Sequence, residues 1–182
     1  MSNCEGKVLS VACDSRHRFS KPARENITFV EGHGVEGDAH AGEYAKHRVL
    51  ARRLMKLPNR RQVHLIPAEL FAELRDSGHL VGPGHLGENV TTYGIGLEHL
   101  PLGTKLHLGE NAIIELTGLR TPCGQIDRFQ KDLRSKMFRS DGSAPKYRCG
   151  VLGIVLSGGQ LFPGDGVKVQ APLDPCSPLP AL

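Results

Sequence analysis

The residue best placed for chemistry is Cys123, within TGLRTPCGQID at 117–127, directly after an apolar run and directly before a chain reversal. A thiol presented where a strand gives way to a turn is aimed by a rigid sheet yet open to a ligand. Arg120, three residues upstream, supplies a positive charge of the kind that favours thiolate over thiol. Free cysteine is also a common core filler. The adjacent arginine, the flanking turn formers and the lack of an apolar side chain at 120–125 favour a working thiol here.

Three further stretches carry polar groups in unusual settings. GVEGDAHAG at 34–42 offers close backbone approach to a ligand, with Asp38 and His40 able to orient a neighbour or hydrogen-bond a heterocycle. Its glycine spacing matches neither the dinucleotide nor the phosphate-loop pattern, and the pair has no third metal ligand nearby in sequence. In GHLGENVTT at 84–92, Glu88 and Asn89 enter a strand that otherwise suits apolar or β-branched residues, so they either cap the turn or reach a ligand. In YRCGV at 147–151, Arg148 precedes a buried strand, where a guanidinium can grip a phosphate or pair with a surface carboxylate, and Cys149 reads as core.

The elements that must hold these groups are short strands between glycine-rich turns. The spacing predicts strands at 7–12, 27–30, 62–66, 89–93, 104–108, 112–117, 151–156 and 167–170, with Gly118 and Pro122 ending the sixth. LGENA at 108–112 reads as a hairpin reversal. A helix is predicted over 67–78, with Leu70, Phe71 and Leu74 on one face and Gly78 as its stop, and a second over 127–137 through Phe129, Leu133 and Met137. About eight short strands with two helices point to a mainly β fold, a closed or nearly closed antiparallel β-barrel, since closure removes exposed edges.

The barrel is expected to occupy residues 1–171. Residues 172–182 hold four prolines and are expected to be disordered or loosely draped. The polar run at 14–26, with Arg16, Arg18, Lys21 and Arg24, reads as a solvated loop or part of a basic rim.

Composition narrows the function classes. The five cysteines form no CxxC pair, their number is odd and no secretory leader precedes them, which points to reduced thiols in a cytoplasmic protein. No apolar run approaches the roughly 20 residues that cross a bilayer. A net charge of +4, with no tryptophan, gives little reason to expect nucleic acid, while leaving room for a local basic site that takes a small anion.

Taken together, GVEGDAHAG, KHRVLARR at 46–53, RQVHLIP at 61–67, LGENVTT at 86–92, ELTGLRTPCGQID at 115–127, RCGVLGIVLSGG at 148–159 and GDGVKV at 164–169 resemble the MOSC domain, the family named for the C-terminal domain of molybdenum cofactor sulfurase, in its stand-alone bacterial form. The resemblance implies a β-barrel-like fold and a cysteine, matched by Cys123, that ligates molybdenum or carries sulfur. It implies the molybdenum cofactor (molybdopterin) as ligand, with Arg48, Arg120 and Arg148 gripping its phosphate and Asp38, His40 and Asn89 as polar neighbours. In relatives of this kind the activity is reduction of N-hydroxylated bases. With no flavin, haem or iron-sulfur signature in the chain, an external electron donor would serve the reductase, and a sulfur-donor protein would serve a persulfide carrier. A cofactor-binding chaperone is a third possibility, and pyridoxal phosphate binding is a further property associated with the family.

Overall fold

The structure, a computed structural model, describes residues 5–45, 57–139, 141–174 and 177–182. β1 (Glu5–Ala12), β5 (Val63–Pro67), β6 (Val90–Tyr93), β7 (Lys105–Leu108), β8 (Ala112–Leu119), β9 (Val151–Ser157) and β11 (Gly166–Gln170) form a closed seven-stranded barrel. Its order is β11, β7, β8, β9, β5, β6, β1, and β1 then pairs back to β11 through Glu5 with Lys168 and Lys7 with Gly166. β2 (Ala23–Arg24) adds to the outer side of β1, and a small sheet joins β10 (Gly159–Leu161), β3 (Ile27–Val30) and β4 (Gly34–Val35). All eight predicted strands are present within a residue or two of their predicted ends.

The barrel is antiparallel at every pair but one: β5 and β6 run parallel, with Leu65 beside Val90. A parallel pair needs a crossover. That crossover carries the predicted first helix, α1 (Glu69–Asp76), which buries Leu70, Phe71 and Leu74. The second predicted helix is divided into α2 (Gln125–Phe129) and α3 (Leu133–Lys136). The division falls where Asp132 adopts φ 63°, a left-handed conformation that interrupts a helix of L-residues. The barrel interior is filled by Leu65, Leu106, Ile114, Leu116 and Val151, all fully buried. A second apolar cluster sets the three helices against the wall through Ile66, Phe71, Ile126, Leu133 and Cys149.

Two expectations are corrected. Gly118 does not end its strand: β8 continues to Leu119, with a bulge between Leu116 and Gly118. Residues 177–182 are docked rather than loose. Leu179 is buried in the barrel core, Leu119 N–H donates to the Pro180 carbonyl at 2.7 Å, and Leu182 N–H donates to the Leu119 carbonyl at 2.9 Å. Proline forbids a full ladder, but Pro180 still accepts through its carbonyl and Leu182, past the last proline, keeps its amide, and these suffice for an isolated parallel bridge from Leu119 to Ala181.

Candidate functional site

β8 delivers the thiol. Past Leu119, the Arg120 N–H donates to the Gly150 carbonyl at 3.0 Å, which ties this exit to the segment entering β9. The chain then turns, and Cys123 stands exposed just before α2, its carbonyl accepting from Ile126 N–H at 3.2 Å. The Arg120 guanidinium donates to Cys149 Sγ at 3.2 Å. Arg120 is thus anchored on the buried second cysteine, beside Cys123 rather than paired with it. Burial pushes the Cys149 thiol up from its usual value and Arg120 opposes this; the Cys123 thiol adds to the upward push, which places the two sulfurs within electrostatic reach.

Arg61 joins this group from the segment leading into β5. Desolvation and the neighbouring charge of Arg120 push its guanidinium down, and Cys123 pulls in the opposite direction. Two guanidinium groups that repel each other beside one thiol form a local excess of positive charge, suited to an anionic ligand. Behind them lies His64, whose Nε2–H donates to the Cys149 carbonyl at 2.8 Å. Burial, reinforced by Arg120, holds the His64 imidazole well below its usual value, so it is neutral at pH 7.

A second polar group is built around Asp38. Its Oδ2 accepts from Lys21 Nζ at 2.8 Å and from Asn89 Nδ2 at 3.0 Å, and its Oδ1 accepts from His40 Nδ1 at 3.3 Å. Lys21 and Asp38 are both buried, so Lys21 belongs to this pair and neither to a solvated loop nor to a basic rim. Asn89 links the two groups: its Oδ1 accepts from the His64 N–H at 3.2 Å, and its own N–H donates to the His64 carbonyl at 2.8 Å. The loop carrying Asp38 takes positive φ at Gly34, where a Cβ would stand 2.9 Å from the Gln62 carbonyl.

Glu88 caps its turn, accepting from Gly84 N–H at 2.6 Å and Leu86 N–H at 3.2 Å. The Arg148 guanidinium is engaged by Glu73 of α1. Arg48, like the KHRVLARR motif, lies outside the described residues. Among the sequence candidates, Cys123 and Arg120 are therefore brought together, while Asp38, His40 and Asn89 form their own network joined to His64. Sequence reasoning passed over Arg61 and His64, although both fall in the RQVHLIP motif, and the burial of Lys21 gave no signal because its polar neighbours resemble any exposed loop.

Among the described residues no three His, Cys, Asp or Glu side chains are grouped to hold a metal ion. A metal bound to a cofactor that brings its own sulfur ligands does not need such a group. The MOSC domain family model matches residues 36–168, most of the chain and every element from β5 into β11. The chain belongs to the MOSC domain family. The fold is shared with the YuaD protein of Bacillus subtilis, at 23% identity and a TM-score of 0.77 over 92% of this chain and 97% of that one. It is also similar to YiiM of Geobacillus stearothermophilus, at 17% identity and a TM-score of 0.66 over 91% and 75% of the two chains. YiiM of Escherichia coli, at 16% identity, gives 0.62 over 92% and 71%. No curated protein matches the sequence. In this MOSC domain the thiol, its two guanidinium neighbours and the buried histidine thus sit within the region that carries the family match.

Proposed function

We propose that this MOSC domain binds the molybdenum cofactor through Cys123 and reduces N-hydroxylated compounds with electrons from an external donor. The observation that carries the reading is an exposed thiol at the end of β8 with Arg61 and Arg120 beside it. Thiolate is a soft ligand suited to molybdenum, and guanidinium groups suit the phosphate and sulfur charge of the cofactor. When bound, the cofactor supplies the metal that exchanges electrons with substrate. The chain's part is to hold and orient: β8 aims the thiol, Cys149 fixes the Arg120 guanidinium, and neutral His64 adds no competing positive charge behind them. Arg148, with its partner Glu73, and the Asp38, His40 and Asn89 network belong to the supports of the site in this reading.

Pyridoxal phosphate fits less well. Its aldehyde calls for a free lysine amine, and Lys21, the buried lysine of the described residues, is closed into its pair with Asp38.

The test is metal analysis of protein made in a cofactor-competent host. Wild type should carry molybdenum and Cys123→Ser should lose it while keeping its melting midpoint; equal metal content in the two would sink the proposal. Molybdenum-loaded wild type with a reduced viologen should consume an amidoxime or N-hydroxylated base, and Cys123→Ala should not. A metal-free wild type carrying one labile extra sulfur on Cys123 would instead establish the carrier role.

A further inference from the structure

The tail meets the site at one oxygen. The Leu182 carbonyl accepts from Arg61 Nη2 at 3.1 Å, from Thr121 N–H at 3.1 Å and from Thr121 Oγ1 at 2.8 Å. Three donors, one of them cationic, meet at this single main-chain oxygen. A guanidinium, a main-chain amide and a hydroxyl converging on one point make the donor set that recognises an oxygen of a phosphate or carboxylate. Thr121 stands two residues before Cys123, and Arg61 senses the Cys123 thiol electrostatically. The cradle therefore belongs to the same mouth as the thiol.

The way the tail is accommodated supports exchange. Gly118 has no side chain where the tail crosses β8: a Cβ there would stand 2.5 Å from Leu182 Cγ and 2.7 Å from the Pro180 carbonyl. Near the site the tail is held by main-chain contacts at Leu119, by the Leu182 side chain against Gly118 and by the cradle itself, while its deeper apolar anchor, Leu179, lies further back in the core.

We propose that Arg61 and Thr121 form an oxyanion subsite beside Cys123, for a phosphate monoester, which the Leu182 carbonyl fills in the resting chain and yields when the ligand enters. Taking the cofactor's phosphate as the natural occupant rests on the preceding reading of Cys123; oxyanion binding and tail displacement do not.

The experiment uses metal-free full-length protein and inorganic phosphate, with the dissociation constant measured by calorimetry and main-chain exposure by hydrogen exchange. Phosphate should bind, and Arg61→Gln should weaken it by about tenfold or more, as expected for loss of a charged donor. Arg61→Lys should fall between, which separates loss of charge from loss of fold, and melting midpoints should match wild type. Phosphate should also speed exchange at the Leu119 and Leu182 amides. Gly118→Ala, which crowds Leu182 off the strand, should bind phosphate several-fold more tightly.

The phosphate measurement uses metal-free protein and reads no molybdenum, so failure of molybdenum ligation at Cys123 and failure of this subsite are read separately. The proposal is overturned if phosphate does not bind, if Arg61→Gln binds it equally well, or if binding leaves Leu119 and Leu182 exchange unchanged.

Discussion

Lys21 Nζ lies 2.8 Å from Asp38 Oδ2, with both side chains withdrawn from solvent. Burial alone would push the Asp38 carboxyl up, but the hydrogen bond from His40 and the Lys21 ammonium outweigh it and hold the carboxyl well below the usual carboxylate range. For Lys21 the balance goes the other way: burial pushes its ammonium down and Asp38 restores only part. A buried pair of this kind is weak evidence for net stability, yet breaking it is costly because one charge is left without its partner.

Asp38→Ala is therefore expected to destabilise the protein by about 3–5 kcal/mol in denaturant titrations, whereas the double variant Lys21→Met, Asp38→Leu should lose much less. Equal losses in the single and double variants would show that packing, and not charge pairing, holds this loop.

Two separate acid limbs are expected in stability against pH. His64 is held below its usual value, so the unfolded chain takes up the proton first and stability falls as pH drops below about 6.5, by at most about 1.4 kcal/mol per pH unit. Asp38 is also depressed, but as a carboxylate its contribution is present above about pH 4 and is lost as pH falls further. Urea titrations across pH 3–8 should lose the upper limb in His64→Gln and the lower one in Asp38→Asn; a single unchanged limb in both variants would contradict the assignment.

Asn89 spends its side chain on three partners: His64 N–H at 3.2 Å, the Ala12 carbonyl at 3.2 Å and Asp38 Oδ2 at 3.0 Å. Asn89→Ala removes the side-chain partner of the Ala12 carbonyl on β1 and of the His64 N–H on β5, at a cost of about 1–3 kcal/mol for each group left unsatisfied, while Asp38 keeps Lys21 and His40. The expected outcome is a clear fall in melting midpoint with molybdenum content retained at temperatures where the protein is folded. Loss of metal from folded Asn89→Ala would make Asn89 a ligand-contacting residue.

Cys149 should be protected from alkylating reagents in the native protein while Cys123 reacts, because Cys149 is fully buried and Cys123 exposed. Mass spectrometry after brief iodoacetamide treatment should find the label on Cys123. In Cys149→Ala, Arg120 loses its sulfur acceptor, and the pH profile of Cys123 alkylation should shift; Cys149→Ser should restore it. An unmoved profile in the alanine variant would remove Cys149 from any positioning role.

Much of this arrangement was legible in the sequence because strands and turns are local. Apolar alternation and glycine pairs located every barrel strand, and Cys123 announced itself by standing in a polar turn after an apolar run. Partnerships made across the barrel were not legible. Nothing local told Arg120 to seek Cys149, Arg148 to take Glu73, or Lys21 to bury itself against Asp38, since each choice is fixed by a segment distant along the chain. Gly118 misled for a related reason: a glycine that makes room for a crossing segment looks, in isolation, like one that ends a strand.

The seam between β1 and β11 has a consequence for synthesis on the ribosome. The barrel's first strand closes on its last, Glu5 against Lys168, so the sheet cannot shut until the segment around Gly166–Gln170 has left the exit tunnel. The closure entropy itself grows slowly, by about 0.6 kcal/mol for each doubling of the loop. The larger burden is time: through most of translation β1 and β7 present open edges, each able to template pairing with another nascent chain. A stalled or shortened message would leave that edge permanently exposed, so incomplete products of this gene should be prone to aggregation even where the finished barrel is not.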